Sequence, residues 1–202
     1  MANLSDAWGD ITVTNVGKEF VEFLNEVQGE DAYYTLVDRE DLKDVKIDKD
    51  NNLKMPFSTY GRWAYDNNIE GYLNGTWMGE HQEAYDKFIK AMKDKNGFVQ
   101  IEYKDIEGGS EFMGAGVAEL SVDEGEIMFN SNFEDMDYTV ANLAELNGDS
   151  QYWALEYLYG DEVIVEYDKY VEKWHEDHKG DKFRGMNPAS PGEWYENEYE
   201  EE

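Results

Sequence analysis

Forty-seven carboxylates and three imidazoles are the side chains of this 202-residue chain that can trade protons or hold a metal. His175-Glu176-Asp177-His178 sets two rings at i and i+3 on one helix face, a spacing that can grip a metal from one side. No third ligand is marked, and the i, i+4 step of the His-Glu-x-x-His zinc pattern is absent. Asp48-Lys49-Asp50-Asn51-Asn52 opens like a calcium loop, but Leu53 stands where that loop needs glycine and Thr59 where it needs glutamate, so a polar hairpin turn is expected. Gly114 and Gly116 lack the spacing and the following lysine of a phosphate loop, and their context is a strand, where small residues let a crossing helix come close. No nucleophile elbow presents a serine, and in a chain this rich in acids a carboxylate pair carries no signal. The chain is read as a non-enzyme with no metal and no cofactor. The alternative is a small-molecule or metal-binding domain, or an enzyme, using Arg62, Trp63 and His81. Arg beside Trp can stack on an aromatic face or bind an anion.

Charge separates these readings. The net charge is -30, from 47 acids and 17 bases. It is -8 over residues 1–50, zero over 51–100, -12 over 101–150 and -10 over 151–202. Arg62, Trp63 and His81 lie in the neutral quarter. The stretch 101–150 holds thirteen acids against Lys104 alone. From it come the candidate partner-binding residues Glu102, Asp105, Glu107, Glu111, Glu119, Asp123, Glu124, Glu126, Glu134, Asp135 and Asp137. Salt adaptation fits poorly with 14 Lys against 3 Arg. A solubilising face and imitation of nucleic acid both remain. Duplex DNA carries about one charge per 1.7 Å of axis, so thirty charges match roughly 15 base pairs. Such an excess also self-repels and weakens the compact state.

The elements that must position these acids follow from periodicity. Residues 10–14 alternate as a strand, and Phe20, Phe23, Leu24 and Val27 give a helix one apolar face. Residues 32–37 read as a second strand, making a β-α-β opening, and 45–47 as a short one. Residues 66–73 and 80–95 read as helices, the latter with acids early, lysines late and Asn96-Gly97 as its stop. Residues 98–104, 112–122 and 126–133 read as strands, the last two joined by the turn Asp123-Glu124-Gly125. Residues 138–146 read as a helix, 152–159 are ambiguous, 162–167 read as a strand and 168–179 as a helix. The expected fold is α+β: an antiparallel sheet covered by helices on one face, in a ferredoxin-like arrangement. The domain expected is a single one over residues 1–185, followed by an acidic, aromatic-containing tail over 186–202.

The class is bounded by what is missing. The chain has no cysteine, which excludes disulfides, thiolate zinc and a Cys nucleophile and fits a reducing compartment. No signal-peptide pattern and no apolar run near the ~20 residues of a spanning helix are present. A cytoplasmic protein with no membrane partner is expected. Repulsion from phosphate disfavours direct nucleic-acid binding. Oligomeric state is not encoded in these patterns.

The acids from Glu102 to Asp137 and from Glu156 to Glu176, with aromatics among them, cover about half the chain. In this composition the chain resembles the acidic DNA-mimic anti-defence proteins of phages and mobile elements (anti-restriction and anti-CRISPR) and the acidic immunity proteins that block nuclease toxins. The resemblance implies a stoichiometric inhibitor acting in a bacterial host cell. Its partner would be a basic nucleic-acid-binding protein or nuclease complex, whose channel it fills.

Overall fold

Strict alternation builds the centre of the first part of the molecule. In β1 (Leu4–Thr14) Ala7, Ile11 and Val13 are buried, while Asp6, Trp8, Asp10 and Thr12 face the other way. The computed structural model describes residues 4–28, 35–62, 64–108, 110–179 and 187–199. The chain divides into two compact units, Met1–Met136 and Asp137–Glu202, where the sequence suggests one domain to residue 185 and a tail.

The first unit is α+β. β2 (Leu53–Arg62), β3 (Phe98–Glu107), β4 (Phe112–Asp123) and β5 (Glu126–Met136) join β1 in a five-stranded sheet of order β2-β1-β3-β4-β5. Every pairing is antiparallel. β2 and β3 therefore run parallel with β1 between them, a split β-α-β unit, and β3 to β5 form a meander. That order differs from the ferredoxin-like one. Residues 35–37 are not a strand, and 32–34 lie outside the described residues. Leu36 and Val37 instead donate their N–H groups to the Gln28 side-chain oxygen, and Tyr65 Oη donates to Leu36 O. The strand beside β1 is Leu53–Arg62. Its period is strict, with Leu53, Met55, Phe57 and Thr59 buried and Lys54, Pro56, Ser58 and Tyr60 exposed. Pro56 disguises it in the sequence, yet proline is tolerated on an edge strand because an outward position needs no ladder N–H.

Helices α1 (Gly17–Val27), α3 (Tyr65–Leu73) and α4 (Gln82–Lys95) cover one face. A short α2 (Arg39–Lys43) and a 3-10 turn, Gly79–His81, complete the unit. Phe20, Phe23 and Leu24 of α1 and Phe88 and Met92 of α4 share one buried cluster with Ile11, Val13, Val99 and Ile101 of the sheet. The Phe23 and Phe88 rings stack at 4.9 Å. α4 stops at Asn96, which adopts the left-handed conformation, as the Asn-Gly pair predicts. The 48–52 segment is the expected polar turn, with Asp48 Oδ1 accepting from Asp50 N and Asn52 N. It also caps α1: Asn51 accepts from Gly17 N through its carbonyl and from Lys18 N through its side chain.

The second unit is helical among its described residues: α5 (Val140–Asn147), α6 (Gln151–Tyr159), α7 (Asp161–Asp177) and α8 (Pro191–Trp194), with a π-helical turn at Tyr195–Tyr199. The strand expected at 162–167 is part of α7. The β-branched run Val163-Ile164-Val165 mimics a strand, but the inward residues are Val163 and Tyr167, one helical turn apart. The expected tail is packed structure over its described residues. Trp194 is 5% exposed, against Tyr167 at 5.3 Å and Tyr170 at 6.0 Å. Ser190 and Glu193 form a capping box. Residues 186 and 200–202 of that tail lie outside the described residues. Among the described residues no helix is long and apolar enough to cross a membrane.

Candidate functional site

The side of the sheet away from the helices collects the polar half of each strand over most of its length; at one end, in the row of Tyr60 and Asp6, Ile106 and Met113 are buried. Register sets its side chains in rows that cross all five strands. One row is Pro56, Asp10, Glu102, Val117 and Asn132; the next is Ser58, Trp8, Lys104, Ala115 and Glu134. A third places Glu119 beside Gln100, whose amide donates to it at 2.9 Å. Three of the large apolar side chains left in solvent share this face: Tyr60 (58% exposed), Val117 (39%) and Met128 (43%). They stand singly among the charges, on β2, β4 and β5.

At the middle of this face lies an open concavity of about 530 Å³, lined by Trp8, Asp10, Pro56, Glu102, Lys104 and Val117 among others. Small residues make the room: Gly9, Ala115 and Gly116. Gly9 is demanded by close approach, since a Cβ there would lie 1.9 Å from the Glu102 carbonyl oxygen. Asp10 and Glu102 are both exposed and directly opposite one another on adjacent strands. Like charges so placed repel. Among the described residues neither forms an ion pair, and neither does Lys104.

The candidate acids divide by face. Glu102, Glu119 and Glu134 belong to the open face, and Asp123 and Glu124 stand exposed at the tip of the β4–β5 hairpin. Glu126 is exposed but bound to Lys93 at 2.8 Å, and that ammonium holds its carboxyl below the usual range. Glu111 is exposed just before β4, and Asp135 is exposed but in register with Gly114, on the helix side of the sheet. Asp137 belongs to the second unit. Asp105 and Glu107 correct the expectation of one acidic face. They are 0% and 6% exposed and share the helix-covered side with Tyr103. Alternation from Glu102 already sends odd-numbered residues of β3 inward.

Asp105 has a structural task. Its carboxylate accepts from Ser5 Oγ and, at 2.6 Å, from the backbone N–H of Tyr65, the first residue of α3. It ties the helix start to the sheet. Burial pushes its pKa up to about 6; the two hydrogen bonds oppose the rise, and Asp66 and Glu107 add to it. Beside it, burial raises the Tyr103 hydroxyl well above its ordinary value, and Tyr103 Oη has no hydrogen-bond partner. This end of the core is acidic but closed.

The residues proposed for the neutral-quarter alternative are not gathered around the concavity. Trp63 lies outside the described residues, as does the Arg62 side chain; the Arg62 backbone pairs with Leu4. His81 sits in the 3-10 turn beside Glu80. On α7, His178 stacks on Trp174 at 4.2 Å and its Nδ1 donates to Trp174 O. Among the described residues no three His, Cys, Asp or Glu stand together as metal ligands. Sequence reading missed Trp8 and Asp10. The signal was the period-two run Asp6, Trp8, Asp10, which places three polar or amphipathic groups on one side of a strand longer than residues 10–14. No protein-family model, curated protein or solved structure matches the chain.

Proposed function

We propose that this chain is a stoichiometric inhibitor that takes the place of nucleic acid in the basic channel of a host-defence or toxin nuclease, acting in the bacterial cytoplasm. The observation that carries the reading is the open face of the sheet. Asp10, Glu102, Glu119 and Glu134 stand there on hydrogen-bonded strands, a scaffold that holds them in place before a partner arrives. Strands about 4.8 Å apart and side chains about 6.7 Å apart along a strand put neighbouring carboxylates at intervals of roughly 5 to 8 Å. Little ordering entropy then opposes binding. Lysines and arginines that normally hold phosphate would pair with these groups, and the long-range field would speed encounter. Val117 would supply apolar contact near the centre, and Tyr60 and Met128 at the two outer strands. The second unit supports the reading separately: Asp168, Glu172 and Glu176 are exposed at four-residue steps on α7, about 6 Å apart along the axis.

Inhibition would proceed by occupancy, without catalysis, cofactor or direct contact with nucleic acid. The test is a low-salt pull-down from bacterial lysate, followed by binding of the recovered partner over a salt series with a DNA competitor. Affinity is expected to fall about tenfold or more between 50 and 200 mM salt, and DNA is expected to displace the chain. Binding insensitive to both would leave the carboxylates as a solubilising coat.

A further inference from the structure

The concavity on the open face holds a mixture of groups that a uniform negative coat does not need. Trp8 forms one wall, and Asp10 and Glu102 present carboxylates from adjacent strands. Lys104, the cross-strand neighbour of Trp8, lines it as well. The geometry points to an arginine subsite: a guanidinium from the basic partner enters the concavity, lies against the Trp8 indole and donates to Asp10 and Glu102. This rests on the reading of the face as a docking surface for a basic protein, and it names the side chain that the face selects.

Two observations favour arginine over lysine, and a third favours a cation of either kind. The two carboxylates sit side by side, one strand apart, and a guanidinium offers a planar fork of donors that can reach both at once; an ammonium is a point charge. The indole offers a face on which a planar, weakly hydrated cation stacks. Asp10 and Glu102 are held opposite one another at a like-charge cost while Gly9 keeps their strands close. A cation between them removes that cost, so binding there recovers free energy that an isolated surface acid cannot supply. Lys104 leaves room for one cation and repels a second.

The experiment uses the full chain and two dye-labelled peptides of equal charge, triarginine and trilysine, with binding read by fluorescence anisotropy at low salt. Triarginine is expected to bind about fivefold tighter than trilysine. Trp8→Leu is expected to abolish that preference, and so, independently, is the pair Asp10→Asn with Glu102→Gln. The pair Glu22→Gln with Glu83→Gln removes the same charge from helices on the other side and is expected to leave the preference intact. Lys104→Ala is expected to tighten triarginine a few-fold. Equal binding of the two peptides to the unaltered chain overturns the subsite, as does a preference that survives both the Trp8 and the Asp10/Glu102 changes. If DNA competes with the partner while the peptides bind equally, the subsite fails and the inhibitor reading stands. If the preference holds but no partner is displaced by DNA, the inhibitor reading fails and the subsite stands.

Discussion

On the helix-covered face of β3, Asp105 is sealed from water, with Ser5 and the start of α3 as its partners. On the other face, three residues earlier, Glu102 stands in solvent opposite another acid. The two residues carry nearly the same chemical group. The first accepts from two fixed donors, while burial opposes its ionisation, so its task is structural. The second is charged and unpaired, so its energy is available to whatever binds. A carboxylate count along the chain treats them alike, yet only the outward one adds to the field a partner meets.

Removing the inward acid should have the largest effect. Asp105→Ala leaves a buried hydroxyl and a buried N–H without an acceptor, and is expected to cost about 4 kcal/mol in chemical denaturation. Glu102→Ala should stay within about 0.5 kcal/mol. Comparable losses at both positions would erase the distinction between the faces.

The second effect is pH. The folded chain holds the Asp105 proton to about pH 6, whereas the unfolded chain releases it near the ordinary aspartate value of 3.8. Its contribution is therefore complete below about pH 4 and is lost as pH rises through about 6. The loss reaches up to about 3 kcal/mol. As pH rises across that window the unaltered chain should lose stability relative to Asp105→Asn, which has no proton to release there, and parallel curves would show that burial does not set this group's titration.

The smallest effect belongs to the open face. Glu102→Gln removes the repulsion with Asp10 and should raise stability by about 0.5 kcal/mol. A loss instead would mean that the Glu102 carboxylate already has a stabilising role in the free protein.

The parts of the fold legible in the sequence were those whose signals are local. β3, β4 and β5 show apolar alternation and a hairpin turn in which Glu124 and Gly125 take the positive φ such turns require. α1 and α4 show an apolar stripe, and α4 a left-handed stop. β2 was hidden because proline argues against a strand until its edge position is known. The 35–37 segment looked like a strand because its apolar residues are buried, but a glutamine side chain, not a neighbouring strand, binds its backbone. α7 was misread in its first half because three β-branched residues outweigh a stripe that becomes clear only with Tyr167 and Trp174. Most of the site was illegible for a related reason. Ala7 and Gly9 point inward but are too small to mark a strand, so the outward run Asp6, Trp8, Asp10 had no frame around it.

β5 is outermost in the sheet and eleven residues long. Such a margin is a template on which a second copy can extend the same ladder, and long flat margins invite fibrous growth. Glu126, Glu134 and Asp135 lie along it, and with a net charge of -30 two copies repel before their edges meet. Near the isoelectric point of about 4.2 that protection disappears. Acidification should turn a monodisperse solution into one that scatters light, through edge-to-edge assembly of chains whose internal fold is still intact.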